Sequence, residues 1–417
     1  MGDEDSREHP RSDGTSPVAI VLAACALLLI GGFLLKGQCL TGRFTENAYQ
    51  DLCYNDLQPL FGLRLFRETE AGPQRVFPYI HGELADGELR DGAIEYPVLT
   101  GVFMYVSSFP ADDTDTYLRV SGFFLAPFAL VVAYLLFRLS RYRALLWALA
   151  PALAFYAFHN WDLLVVAAAV VGLWLWSRGT PLWAAVAFGV GASFKMYPIF
   201  FLAPLALDAL RRAGSKEALR LLGAGVGTFA LINLPFVIAN FDGWLATYSF
   251  HSQRGPNFET IWYFGRPSWG PSRINLVSAL LTAAFFLGIL AYGWIRSRGE
   301  KGYPVLQTSA GLLAAFMLWN KVHSPQYTLW LLPFFALLVV NVGWWVSYTL
   351  ADAAVYMGVF RWFHEIGQGR DMSNAKRLLI AGTWVRAALL LLLVGVFLRS
   401  RRAEAEVAED VAPSLYL

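Results

Sequence analysis

Twelve apolar stretches, separated by short polar turns, leave this 417-residue chain few ways to fold. They run over 17–35, 117–137, 144–158, 161–176, 182–194, 197–210, 221–239, 275–295, 304–319, 326–340, 342–360 and 378–398. Charged residues make up 15% of the chain, against roughly a quarter in soluble domains, so most of its surface is expected to face lipid. The expected fold is an all-α polytopic membrane protein of about 12 transmembrane helices. Several stretches fall short of the roughly 20 residues that cross a bilayer, which predicts broken or tilted helices.

Basic residues set the orientation. With the N-terminus inside, the loops assigned to the cytoplasm hold Arg138/Arg141/Arg143, Arg178, Arg211/Arg212/Lys216/Arg220, Arg296/Arg298/Lys301 and Arg399/Arg401/Arg402. That is the positive-inside pattern. Reading Tyr96–Phe109 as a further span would reverse it, so this short piece is read as interfacial or re-entrant. The loop 361–377, with Arg361, Arg370, Lys376 and Arg377, is the one exception on the outer side. The expected organisation is a disordered cytoplasmic tail 1–16, one membrane-embedded domain 17–398 and a cytoplasmic tail 399–417. A large first outer loop, 36–116, and a second, 240–273, carry the extramembrane mass. The run 17–35 has no small-residue cleavage site after it and reads as an anchor helix.

A net charge of +2 with no basic tail argues against nucleic acid as a partner. Cys25 lies in the first apolar run, while Cys39 and Cys53 share the first loop; in an oxidising compartment those two would pair, and otherwise they remain loop thiols. The sequence has no P-loop, Rossmann glycine fingerprint, HExxH or zinc-spaced Cys/His pairs, so no cofactor or metal is expected.

Polar residues collect at the outer helix ends. Five of six histidines (His81, His159, His251, His323, His364) fall there, as do Lys195 in Phe194-Lys195-Met196-Tyr197-Pro198 and the knot Asn320-Lys321-Val322-His323-Ser324-Pro325-Gln326-Tyr327. Ionisable groups at such places face water-filled cavities or pair with an anion. A Lys at a helix start opposes the helix dipole; an anionic ligand near Lys195 would compensate it, snorkelling being the competing reading. His251 and Arg254, three apart, share a face if that stretch is an amphipathic helix. Asp56 sits among aromatics soon after the first helix, a setting that suits a general base; capping a short helix is the alternative. Asp162 opens an apolar helix, where an acid is favoured for structural reasons alone, and Glu95 before Tyr96-Pro97 could position substrate or serve as the base, with Asp51 as a further alternative.

An Asp in the first outer loop, a Tyr-Pro segment, a Lys-x-Tyr-Pro turn and many helices resemble the GT-C superfamily of membrane glycosyltransferases. Within it the chain is similar to glycosyltransferase family 87, the polyprenol-phosphate-mannose-dependent mannosyltransferases. The segments Phe194–Pro198, His251…Arg254…Asn257-Phe258 and Asn320…Gln326-Tyr327…Leu329-Trp330 also resemble, in order, those of the catalytic subunit of GPI mannosyltransferase I. The chain departs from that enzyme at Gln58, where the eukaryotic protein carries a second Asp, so a paired-carboxylate mechanism is not implied. The resemblance implies a GT-C-like fold and inverting transfer of a monosaccharide, mannose first, from a polyprenyl-phosphate donor to a lipid or glycan acceptor at the extracytoplasmic side of the plasma membrane. Asp56 is then the catalytic base. Glu95, Tyr96, Asp162, Lys195, Tyr197, His251, Arg254, Asn257, Lys321, His323 and Gln326 form the substrate-binding set. Transport or flipping of a lipid-linked anion is the alternative; it would place ionisable residues at the membrane midplane, whereas here they gather at one face.

Overall fold

The structure, a computed structural model, describes residues 16–42, 44–70, 72–299, 302–370 and 374–403. The tail to residue 15 with His9, Lys301, and the tail beyond 403 lie outside these residues. Helices dominate. Among the described residues, five are long and apolar enough to cross a membrane: Pro17–Gly37, Thr114–Ala148, Ser215–Ala239, Pro271–Gly299 and Asn374–Arg399. They expose large apolar side chains such as Leu34, Phe123, Leu231, Ile238 and Leu287, as lipid contact requires. This is an integral, multi-pass membrane protein.

The expectation of about twelve spans is therefore corrected to five. The remaining apolar stretches form short helices that sink into the bundle. Asp162–Ser177 and Pro181–Phe194 have 16 and 14 residues, Val305–Trp319 has 15 and Thr328–Leu337 only 10. The stretch 144–158 is split: Leu145–Ala148 continues the Thr114–Ala148 span and Pro151–Tyr156 forms a separate short helix. A helix apolar all round is either lipid-facing or buried in protein, and composition does not separate the two. Here burial wins: every residue of Thr328–Leu337 is buried. Val342–Gly367 has 26 residues but is not among the five apolar spans, and it buries Asp352 against Arg386 of Asn374–Arg399. The outer loop 361–377 shrinks accordingly, because its first seven residues continue that helix.

Close helix contacts depend on small residues. A Cβ on Gly172 would lie 2.4 Å from the Phe188 ring, and one on Gly189 would lie 2.3 Å from the Gly225 carbonyl oxygen. Thr114–Ser140 is capped by Asp113, whose carboxylate accepts from Thr116 N at 2.7 Å.

The basic helix ends meet one another. The Arg143 guanidinium donates to the carbonyls of Phe335, Ala336 and Leu338, and Leu338–Val339 pairs as a short ladder with Arg401–Arg402. Arg211 bonds Ser297 Oγ, and Arg296 bonds the Leu398 carbonyl. Helix Val305–Trp319 starts at this pole and ends at Asn320, at the other.

At that other pole the first outer loop is not purely irregular. It contains two β-hairpins, Phe66–Thr69 with Gly72–Arg75 and Glu83–Ala85 with Glu88–Arg90, which the all-α expectation did not include. Tyr96–Phe109 yields Val98–Ser108, an 11-residue helix too short to span. Cys39 and Cys53 form a disulfide that closes the loop's first turn. The loop is locked to helix Phe241–Gln253 by Asn240 Nδ2 on the Ile80 carbonyl and Thr247 Oγ1 on the Ile94 carbonyl.

Candidate active site

A cavity of about 620 Å³ opens where the two outer loops meet the ends of the short helices. Its walls include Asp56, Glu95, Tyr96, Lys195, Tyr197, His251, Arg254, Asn257, Lys321 and Gln326. Ten of the twelve residues expected from sequence thus converge on one space. Asp162 and His323 do not line it.

Asp56 precedes helix Leu57–Leu65, yet its side chain caps nothing, which removes the structural alternative for it. Its backbone N–H donates to the His159 carbonyl, and Oδ2 accepts from Asn160 Nδ2 at 2.7 Å. Asn160 also donates to Tyr96 Oη at 2.7 Å, so one buried amide orients both groups. Burial pushes Asp56 up to about 6; the Asn160 hydrogen bond works against this, the Glu95 charge adds to it and Lys195 lowers it. A carboxyl poised near neutrality and facing a cavity has the properties of a general base.

Glu95 is held differently. Arg64 Nε reaches Glu95 Oε2 at 2.8 Å, and the same guanidinium donates to the Leu89 carbonyl. Its carboxylate is thus committed to Arg64, whereas that of Asp56 is held by the Asn160 amide. Asp51 lies off the cavity wall.

Lys195 does not wait for an external anion. Its Nζ lies 2.8 Å from both carboxylate oxygens of Asp162, which is fully buried and also accepts from Trp330 Nε1 at 2.6 Å. Tyr96, Tyr327 and Trp330 present ring faces to the ammonium at 5.2–5.4 Å. Nor does Lys195 start a helix: it ends Pro181–Phe194 with extended backbone, where a cation suits the dipole. Asp162 is therefore the partner that holds Lys195 at the cavity wall.

Arg254 follows the last residue of helix Phe241–Gln253, so the shared helical face with His251 is lost. Its guanidinium bonds Asn257 Oδ1 at 2.6 Å. His251 Nε2 donates to the Glu95 carbonyl at 2.7 Å, and burial lowers its pKa, leaving it neutral. Lys321 donates to the carbonyls of Arg254 and Ser252 at 2.7 and 3.2 Å, tying this loop to the Asn320–Tyr327 turn. Burial, helped by the Arg254 charge, brings Lys321 down to about 8. Gln326 Oε1 is buried without a partner, and Tyr197 stacks on Trp330 at 4.5 Å.

His323 faces away. Its Nδ1 bonds the Met317 carbonyl at 2.8 Å and its ring lines a second, much smaller void. Burial and the Arg386 charge hold it well below the usual histidine range, so it carries no charge to offer a phosphate. Its expected place in an anion cradle is corrected for that reason. Gln58 is buried between Asn55 and Asp115, off the cavity wall.

Sequence reasoning missed Asn160, Arg64, Glu259 and Lys36. Lys36 is fully buried in the last turn of Pro17–Gly37, donates to the Tyr54 carbonyl at 2.8 Å and so braces the segment before Asp56.

The sequence pattern described as Glycosyltransferase family 87 matches residues 95–320, more than half of the chain. The chain belongs to glycosyltransferase family 87. Membership implies a sugar donor and an acceptor. The matched region holds half of the cavity wall; it begins after Asp56 and ends before Lys321. This family 87 glycosyltransferase is also similar to GPI mannosyltransferase 1 of Eremothecium gossypii, 27% identical over 191 residues. That stretch covers 42% of this chain and 45% of the fungal protein, less than half of either.

Proposed function

We propose that this family 87 enzyme transfers mannose from a polyprenyl-phosphate donor to a glycolipid or glycan acceptor at the extracytoplasmic side of the plasma membrane, with inversion. The observation that carries this reading is the placement of Asp56 and the cations Arg254 and Lys321 around one cavity beside apolar helices. Asp56 takes the proton of an acceptor hydroxyl as that oxygen attacks the anomeric carbon. The anomeric carbon–oxygen bond to phosphate breaks, and polyprenyl phosphate departs with the electron pair. Arg254 and Lys321 meet the charge that grows on the departing phosphate, the kind of preorganised interaction that contributes most in such reactions. Lys195, neutralised by Asp162, supports the aromatic wall of Tyr96, Tyr327 and Trp330 around the sugar. The similarity to a mannosyltransferase supports the choice of sugar, and the Cys39–Cys53 disulfide supports an oxidising, extracytoplasmic side.

The test incubates purified protein with polyprenyl-phosphate mannose, glucose or arabinose and membrane glycolipid acceptors. Mannosylated product is expected from wild type and none from folded Asp56→Asn. Folded wild-type protein that consumes no donor overturns the proposal. Donor that moves between leaflets with no sugar released points instead to a flippase.

A further inference from the structure

Glu259 lies in the turn after helix Phe241–Gln253, is 4% exposed, and borders two spaces at once. One is the main cavity; the other is a void of about 10 Å³ shared with His323, Thr383 and Arg386. Three atoms of this group are buried without a hydrogen-bond partner: Glu259 Oε2, His323 Nε2 and Thr383 Oγ1. Such groups are strongly disfavoured unless something joins them, and a void of this size is about that of one water. His323 Nδ1 faces a carbonyl and so carries the ring proton, which leaves Nε2 as a lone-pair acceptor.

The nearby guanidinium does not pair with the Glu259 carboxylate. Arg386 bonds Asp352 Oδ1 at 3.3 Å and the Glu259 backbone carbonyl at 2.9 Å. Burial pushes Glu259 up to about 7, with the Arg386 and Arg254 charges restraining the rise. The charged and titratable groups around it are Arg254, Lys321, His323, Tyr327 and the Arg386–Asp352 pair. Of these, His323 is held neutral and Lys321 titrates near 8, so Glu259 is the group that changes charge at neutrality.

We propose that Glu259 is a proton-carrying member of the anion-binding end of the cavity, protonated when a phosphodiester binds beside Arg254 and Lys321, its carboxyl proton directed at the His323 Nε2 lone pair directly or through one water. An ionised carboxylate there would oppose the incoming anion, whereas the neutral acid does not. One proton is taken from solution on binding and returned on release. This rests on the donor-phosphate reading of the cavity.

The experiment measures binding of polyprenyl-phosphate mannose, without acceptor, to the purified full chain between pH 6 and pH 8. The probe is a phosphodiester of fixed charge. Linkage to a group titrating near 7 contributes about a tenfold fall in affinity across that interval, and Lys321 near 8 about a further twofold, so wild type should fall about twentyfold. Glu259→Gln, neutral at every pH, should reduce the fall to under about threefold, the remainder coming from Lys321. Calorimetry in two buffers of different ionisation enthalpy should show wild type taking up close to one proton more than Glu259→Gln at pH 8, since Lys321 contributes about half a proton to both. Equal falls in wild type and Glu259→Gln, or no excess proton uptake by wild type, overturn the inference while leaving the donor site intact. Folded wild type that binds no donor at any pH overturns the donor reading itself, and this inference with it.

Discussion

Replacing Asn160 by Ala should move the acid limb of the pH–rate profile rather than abolish the reaction. The Asn160 amide donates to Asp56 Oδ2 at 2.7 Å and favours the ionised carboxylate. A hydrogen bond to a charged group contributes about 1.5–3 kcal/mol, and about 1.4 kcal/mol corresponds to one pKa unit. Losing it should raise Asp56 from about 6 by about one to two units. The base acts only when ionised, so activity rises with pH through its pKa. Wild type should be about 90% ionised at pH 7, and Asn160→Ala only about 10–50%. The assay is kcat/KM for mannosyl transfer from pH 5 to 9 in detergent. The expected result is a two- to tenfold loss at pH 7 that shrinks as pH rises, until the fall in Lys321 charge near pH 8 affects both proteins alike. A uniform loss at every pH, with the acid limb still near 6, would refute the assignment of that limb to Asp56.

Lys195→Met leaves fully buried Asp162 with the Trp330 indole but no cation, and breaking a buried pair costs about 3–5 kcal/mol. Thermal unfolding should show a large drop, and adding Asp162→Asn should recover much of it; equal midpoints for single and double variants would count against the pair. Lys321→Ala should lower kcat/KM about 10²-fold if its ammonium meets the departing phosphate. A loss under threefold would leave it as a brace for the Ser252 and Arg254 carbonyls.

Much of the site was legible because charge is expensive in an apolar chain. Lys195, Arg254 and Lys321 stood out as cations at turns on the depleted side, and the resemblance singled out Asp56. What the sequence withheld was direction. A turn brings His323 and Lys321 to the same place but does not say that one ring rotates toward the Met317 carbonyl while the other side chain reaches the cavity. Asn160 and Arg64 act through partners 104 and 31 positions away, beyond any local pattern. Glu259 was not singled out at all, because its contact with Arg386 of helix Asn374–Arg399 spans 127 positions. The span count failed for a related reason: Thr328–Leu337 is as apolar as a lipid-facing segment, but its neighbours are protein.

The short helices carry a consequence for depth. Val305–Trp319, at 15 residues, is about 22 Å long, while Pro271–Arg296, at 26, is about 39 Å. The hydrocarbon layer is about 30 Å thick. Ser278, seven residues into the long helix, bonds the Trp319 carbonyl at 2.7 Å, so that helix runs on for about 10 Å beyond the end of the short one. Under the proposed reaction, the reacting centre lies at the recessed end of this short helix. A sugar on a lipid carrier need only sink its headgroup to reach Asp56, with its tail still among other lipids, whereas a soluble sugar would have to descend from bulk water. For the lipid-linked donor proposed above, this arrangement favours delivery from the side and predicts that turnover depends on the local membrane thickness.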